Sequence, residues 1–248
     1  MIKSVILAAG MARRLQPLTN STPKCLLQVG GKALLDRTLE SIKKAGLKQV
    51  VLVTGFEADQ IKSHVKKHHS DLQFEFIHND LYSTTNNIYS LWLAREALVG
   101  HSLLLLDSDL LFHPMILNKL LQSTESCLAL RATDLLGAEE IKVRVNDSGV
   151  VAEISKTVSP ADAIGESLGI ELFSQKDTTL LFEQVIRLVE KENRVNDFYE
   201  LAFEQAIMKG MSITPVNIGE WPCMEIDTPD DLNAASSLAK LLDNQNSG

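Results

Sequence analysis

Along the first half of the chain, short apolar runs alternate with stretches in which apolar residues recur every three or four positions. The runs lie at Ser4–Ala8, Gln49–Thr54, Gln73–Ile77 and Ser102–Leu106. Their length and apolar character fit strands covered on both sides. The periodic stretches, Ala33–Ala45, Ala58–His68 and Asn87–Leu98, read as amphipathic helices. This alternation predicts an α/β fold: a single Rossmann-like domain with a mixed, mainly parallel sheet and helices on both faces. Such sheets bind ligands beyond the carboxyl ends of their strands, so the segments that follow the apolar runs are where chemistry is expected.

The second half is less regular. Short strands are predicted at Cys127–Ala132, Lys142–Val145 and Val150–Ile154, with Asn146-Asp147-Ser148-Gly149 as a hairpin turn between the last two. A strand near Ser167–Phe173, helices near Thr178–Glu190 and Asp197–Lys209, and a strand near Ile213–Val216 follow. Thr228 and Pro229 have the residue types of an N-cap and first helical position for a last helix. No internal repeat, low-complexity segment or linker interrupts the pattern. The domain is expected to span residues 1–242, with 243–248 as a frayed tail.

Composition narrows the classes. The chain has 248 residues, 45% of them hydrophobic, and a formal net charge of −8. That charge argues against general binding to nucleic acid or to an anionic membrane. No apolar stretch approaches a membrane span, and the apolar run Val5–Ala9 gives way at once to Arg13 and Arg14, unlike a secretion signal. Cys25, Cys127 and Cys223 are odd in number and widely spaced, which fits a reducing cytoplasm rather than a disulfide framework or zinc site.

The densest chemical signal follows the first run: Leu7-Ala8-Ala9-Gly10-Met11-Ala12-Arg13-Arg14-Leu15, then Pro23-Lys24-Cys25-Leu26. Small residues let the backbone approach a ligand, and successive N–H groups in such a turn can cradle an anion. Arg14 and Lys24 add cations suited to phosphate. The loop is neither a Walker A nor a dinucleotide fingerprint. Taken alone, a small-residue turn with exposed arginines is the plainer explanation. The second signal is acidic. Asp107 and Asp109 end the fourth run, two apart and so expected on one face, and Glu225 and Asp227 lie in a short apolar segment far along the chain. Carboxylates brought together call for a cation, and Mg²⁺ takes one or two of them with water and phosphate oxygens. Each acid could equally cap a turn.

Leu7 to Leu27 resembles the signature of nucleotidyltransferases that activate sugar phosphates and alcohol phosphates, L-A-A-G-x-G-x-R-L-x-P-L-T followed by P-K-x-L. The similarity extends over nearly the whole chain and implies a nucleotidyltransferase fold of the GT-A-like kind. Ala12 stands where the family has its second glycine, which predicts a reshaped loop. The resemblance implies that Leu7, Ala8, Ala9 and Gly10 contact the nucleotide, that Arg14 and Lys24 bind its phosphates, and that Asp109 and Asp227 hold Mg²⁺, with Asp107 supplementary. The string Asn86-Asn87-Ile88-Tyr89-Ser90-Leu91 resembles the phosphocholine cytidylyltransferase branch. It implies CTP as the nucleotide, with Asn86 and Asn87 at the base, although Asn87 or Thr85 could simply cap a helix. The same branch implies an acceptor pocket with Lys156, Glu166, Tyr199 and Glu225. A further ring of that branch is missing: Ile141-Lys142 stands there, and Lys142 or Arg144 could suit a more anionic acceptor. His68 and His69 read as a solvated helix end.

The expected activity is transfer of CMP from CTP to a small phosphorylated alcohol or amine, with release of pyrophosphate. A sugar-1-phosphate nucleotidyltransferase using UTP, dTTP or GTP is the alternative within enzymes. A non-catalytic nucleotide-binding regulatory module is the alternative outside them, and it would be expected to lack the phosphate cations or the metal acids.

Overall fold

The computed structural model describes residues 1–245. Its elements run β1 (Ile2–Ala8), β2 (Gln28–Val29), β3 (Lys32–Ala33), α1 (Leu34–Lys44), β4 (Gln49–Thr54), α2 (Ala58–His68), β5 (Gln73–His78), α3 (Asn87–Leu93), α4 (Arg95–Leu98), β6 (Ser102–Asp107) and β7 (Leu110–Phe112). They continue α5 (Met115–Leu120), β8 (Cys127–Arg131), β9 (Lys142–Val145), β10 (Val151–Ser155), β11 (Gly165–Phe173), α6 (Gln175–Ile186), α7 (Glu200–Ile207), β12 (Thr214–Asn217), β13 (Cys223–Glu225) and α8 (Pro229–Gln245).

One mixed sheet organises the molecule, ordered β10-β9-β11-β6-β1-β4-β5, with β8 paired to β11 and β12 paired to β8. The strands β6, β1, β4 and β5 are mutually parallel. β11 runs antiparallel to β6, β8 and β9. From β1 the chain crosses to β4 and β5 on one side and then returns to β6 on the other. The crossovers diverge there and leave a crevice at the carboxyl ends of β1 and β6.

Alternation along each strand builds a core on both faces. Val5, Leu7, Val51, Val53, Leu103 and Leu105 face α3, α6 and α7, where Ile88, Leu91, Phe182 and Phe203 fill the space. Ile6, Ala8, Leu52, Leu104 and Leu106 face Leu35, Leu39 and Ile42 of α1, Ile61 and Val65 of α2, and Ile116 and Leu120 of α5. A smaller cluster seats Ala235, Ala239 and Leu242 of α8 on Val29, Leu34, Leu111 and Ile226.

The structure departs from the sequence reading in several places. The helix expected over Asn87–Leu98 divides at Ala94. There Arg95 folds back over the Trp92 ring and donates to the Trp92 carbonyl at 3.1 Å, while Ala94 and Ala97 close tighter i→i+3 turns. The helix expected from Asp197 starts at Glu200, because Asn87 Oδ1 accepts the Tyr199 N–H at 2.9 Å. β7 and α5 were not anticipated. Residues 243–245, expected in a frayed tail, continue α8, and Arg37 binds the Asp243 carboxylate through both terminal nitrogens at 2.8 and 2.9 Å. Residues 246–248 of that tail lie outside the described residues.

Candidate active site

The loop after β1 is clamped on the crevice side. Phe56 N–H donates to the Ala9 carbonyl at 3.1 Å, and Thr19 Oγ1 donates to the Ala12 carbonyl at 2.8 Å. The approach is close enough to require glycine at position 55, where a Cβ would sit 2.7 Å from Ala9 O and 2.6 Å from Tyr82 Cβ. Ala12, in the place of a glycine, adopts the left-handed conformation all the same, with φ 46° and ψ 52°. That choice costs an L-residue about 1 kcal/mol. The turn then leads into the short 3-10 helix Arg13–Leu15, which presents Arg14. A second one, Lys24–Leu26, starts at Lys24.

The acids are brought to this loop by two three-residue strands, β7 and β13. β6 ends at Asp107, the chain turns at Ser108 and Asp109, and β7 pairs antiparallel with β13 in the register Leu110↔Glu225 and Phe112↔Cys223. Ile226 N–H donates to the Asp109 carbonyl at 3.0 Å, so Asp227 emerges beside Asp109. Asp231, one turn into α8, accepts from the backbone N–H groups of Asp227 and Thr228 at 3.0 and 2.8 Å, while Thr228 Oγ1 caps the helix by accepting from Asp231 N–H. Those bonds fix the strand-to-helix turn that aims Asp227.

The two groups meet. Lys24 Nζ lies 2.8 Å from Asp109 Oδ2 and 2.7 Å from Asp227 Oδ1, and Arg14 Nη2 lies 2.6 Å from Asp227 Oδ2. Only 11% of the Lys24 side chain is exposed. Desolvation by itself would lower the Lys24 pKa, but the charges and hydrogen bonds of Asp109 and Asp227 outweigh it, and the net shift is upward. Glu225 completes the acidic group. Carboxylate oxygens of Asp109, Glu225 and Asp227 all lie within 4.8 Å of one another. The Glu225 side chain opens on the cleft, yet desolvation first, and the charges of Asp109 and Asp227 next, push its pKa up to about 7. Asp109 Oδ1 is buried without a hydrogen-bond partner. An all-oxygen donor set with an orphaned carboxylate oxygen suits a hard divalent cation of the Mg²⁺ type.

Around these groups lies a cleft of about 530 Å³, within the range of small-molecule sites. Its walls include Leu7, Ala8, Ala9, Gly10, Asn86, Asn87, Asp107, Lys156 and Glu166, all singled out from the sequence. Asn86 caps α3, its Oδ1 accepting from Asn87 N–H at 2.8 Å. Asn87 Oδ1 is occupied by Tyr199 N–H, so both asparagines have structural work besides facing the cleft. Lys156 Nζ pairs with Glu139 at 2.9 Å and lies 5.0 Å from the centre of the Phe198 ring. Glu166 pairs with Arg131 Nη1 at 2.8 Å, and Arg131 also donates to the Cys223 carbonyl.

Several expectations are corrected. Asp107 and Asp109 do not act on one face. The strand stops at Asp107, and the turn sends Asp109 to Lys24 while Asp107 accepts the Tyr199 hydroxyl at 2.9 Å. Asp107 is therefore not one of the three grouped carboxylates, although it lines the same cleft and its pKa is raised by desolvation and then by the charges of Asp109, Glu200 and Glu225. Tyr199 is fully buried and does not reach the cleft; its neighbour Phe198, 44% exposed, presents the ring instead. Lys142 is buried and donates to the carbonyls of Gly137 and Glu140, and Arg144 pairs with Glu153, so neither adds charge to the cleft. His69 is buried rather than solvated, with its ring on Asp36.

The sequence reading missed Tyr82, Arg131, Glu139, Glu140, Phe198 and Glu200, all of which line the cleft. Phe198 and Glu200 flank Tyr199, the residue expected at the pocket, but which of two adjacent rings faces the cleft is decided by where the helix begins. Glu200 belongs to a buried acidic floor with Asp107 and Glu171. Desolvation raises the pKa of all three, Glu200 to about 7. Gly169 lets β11 pass over this floor: it has φ +66°, and a Cβ there would lie 2.6 Å from Asp107 Oδ2.

Comparison with known proteins accords with this geometry. The family model of the MobA-like NTP transferase domain matches residues 4–141. The choline-phosphate cytidylyltransferase of Streptococcus pneumoniae is 27% identical over 99% of this chain and 100% of its own length. The CTP:phosphoglutamine cytidylyltransferase of Campylobacter jejuni is 26% identical over 93% of this chain and 98% of its own. Among solved structures, the inositol-1-phosphate CTP transferase of T. maritima superposes with a TM-score of 0.78 at 22% identity, covering 97% of this chain and 94% of that one.

Proposed function

The chain belongs to the MobA-like NTP transferase domain family, and from that membership we propose that it transfers CMP from CTP to a small phosphorylated alcohol or amine and releases pyrophosphate. The observation that carries this reading is the convergence of Lys24 and Arg14 on Asp109 and Asp227. A non-catalytic module would have no reason to keep both the phosphate cations and the acids in one place. Relatives that share CTP yet differ in acceptor (choline phosphate, phosphoglutamine) favour the nucleotide over any one acceptor.

In this reading an oxygen of the acceptor phosphate attacks the α-phosphorus of CTP, and pyrophosphate leaves in line. A phosphate dianion is already a nucleophile, so the chain need not supply a general base. What it supplies is alignment and charge. The backbone from Leu7 to Gly10 receives the triphosphate. Arg14, whose guanidinium is mostly exposed, and Lys24 turn their N–H groups onto phosphate oxygens. Mg²⁺ held by Asp109 and Asp227, with Glu225 beside them, would neutralise the triphosphate and polarise the α-phosphate. Asn86 and Asn87, which line the cleft, would face the base in this reading, and Lys156, Arg131 and the Phe198 ring, which line it too, would face the acceptor. No helix among the described residues is long and apolar enough to cross a membrane. Three free, buried cysteines go with a reducing cytoplasm as the setting.

The test is a panel of CTP, UTP, dTTP and GTP against phosphocholine, phosphoethanolamine, inositol 1-phosphate and hexose 1-phosphates, scored by pyrophosphate release with and without Mg²⁺. The expected result is Mg²⁺-dependent turnover with CTP and an alcohol or amine phosphate, favoured by roughly a hundredfold in kcat/KM over the other nucleotides. Turnover confined to hexose 1-phosphates with UTP, dTTP or GTP would overturn the reading.

A further inference from the structure

Away from the cleft, α1 and α2 carry a second group of ligating side chains. Asp36 lies in the first turn of α1, His64 in α2, and His69 is the residue that ends α2. His64 Nε2 and His69 Nε2 both lie 2.7 Å from the same oxygen, Asp36 Oδ1. None of the three lines the cleft. His69 is buried, and its Nδ1 has no hydrogen-bond partner, so the ring is anchored through Nε2 alone. The ring of His68, exposed, lies 4.7 Å from that of His64 across one helical turn. The nearby Lys66 is directed elsewhere, with its ammonium over the Phe76 ring.

We propose that Asp36, His64 and His69 form a structural site for a divalent transition ion of the zinc class, tying α2 to α1. Two imidazole nitrogens and one carboxylate oxygen are a donor set for Zn²⁺, Co²⁺ or Ni²⁺, with water or His68 in the remaining position. Metal–nitrogen bonds of about 2.0–2.1 Å put tetrahedral ligand atoms a little over 3 Å apart, so the three atoms need to open by only about half an ångström. To bind the ion, each imidazole would direct the Nε2 lone pair at it and carry its proton on Nδ1. The Asp109–Glu225–Asp227 group in the cleft offers oxygens only, so the two sites sort their ions by ligand type: Mg²⁺ to the carboxylates, the softer ion to the imidazoles. This site stands independently of the proposed reaction.

The test is a Co²⁺ titration of the full chain, stripped with chelator and then held in excess Mg²⁺, followed by visible absorption and by thermal unfolding with Zn²⁺. The expected result is one equivalent of Co²⁺ giving an intense low-symmetry band that Zn²⁺ displaces, and a rise in Tm with Zn²⁺. His64→Gln keeps a side-chain N–H for Asp36 and so preserves the fold. It should weaken Co²⁺ binding at least tenfold and abolish the Tm shift, by the roughly 10–100-fold scale on which perturbing a metal site acts. Asp109→Asn should leave both readouts intact. The same band in His64→Gln, its loss in Asp109→Asn, or no saturable band up to about 1 mM Co²⁺ would each overturn the proposal.

Discussion

Lys24 is held between two carboxylates, and its ammonium is nearly shut off from water. Each acid therefore does two jobs: it offsets the desolvated lysine, and it offers oxygens to a cation. Replacing Asp109 or Asp227 with Asn keeps the shape and removes the charge. Each change should lower kcat/KM by about a hundredfold or more, the scale on which lost charge stabilisation in a reacting centre acts. The far-ultraviolet circular dichroism should stay that of the wild type, and a variant at wild-type rate would remove that residue from the centre. Ala12 supports a second prediction. Its left-handed backbone is one that glycine adopts freely, so Ala12→Gly trades strain for unfolded-state entropy. Chemical denaturation should show a change between zero and about 1 kcal/mol in the stabilising direction. A clear loss of stability would mean that the loop is not held as described.

At the scale of elements, the centre depends on two three-residue strands and one bulged long one. The β7–β13 pair joins Asp109 to Asp227, and Gly169 in β11 lets the chain pass against Asp107. Gly169→Ala would force an L-residue to φ +66° and press a methyl group onto a buried carboxylate. The expected loss is about 2 kcal/mol or more, read by denaturant unfolding. Full stability in that variant would contradict the packing. These elements also mark where the sequence stopped being legible. β1, β4 and β6 could be read because a strand covered on both faces is a continuous apolar run. The phosphate loop could be read because its small residues and cations are adjacent in the chain. β7 and β13 could not be paired in advance, since three residues show no period and only the tertiary fold brings them together. Tyr199 and Phe198 exchanged roles because a helix start displaced by a few residues turns adjacent side chains in different directions. His69 read as solvated because its partner, Asp36, lies on a different helix.

At the scale of the whole molecule, three of the acids counted in the formal net charge of −8, Asp107, Glu171 and Glu200, form a buried floor beneath the cleft, where desolvation favours their protonated forms. Glu200 has a folded-state pKa of about 7, raised by desolvation above its unfolded value of 4.5. The folded protein therefore keeps that proton longer than the unfolded chain does. The associated stability is complete below about pH 4.5 and is lost as pH rises through about 7, by up to about 3 kcal/mol. Glu171, shifted in the same direction, adds to the trend. Glu200→Gln should gain stability relative to the wild type as pH is raised from about 5 to 8; equal pH slopes for the two proteins would show that Glu200 is not held protonated. The central claim is that distant segments converge to grip one triphosphate together with a divalent ion. Its most direct test is calorimetric titration of CTP into wild type and into Asp109→Asn, each with and without Mg²⁺. The account predicts that Mg²⁺ tightens the wild-type Kd by at least about tenfold, a coupling of about 1.4 kcal/mol, and that this tightening disappears in the variant. An equal Mg²⁺ effect in both proteins, or CTP binding indifferent to Mg²⁺ in the wild type, would contradict it.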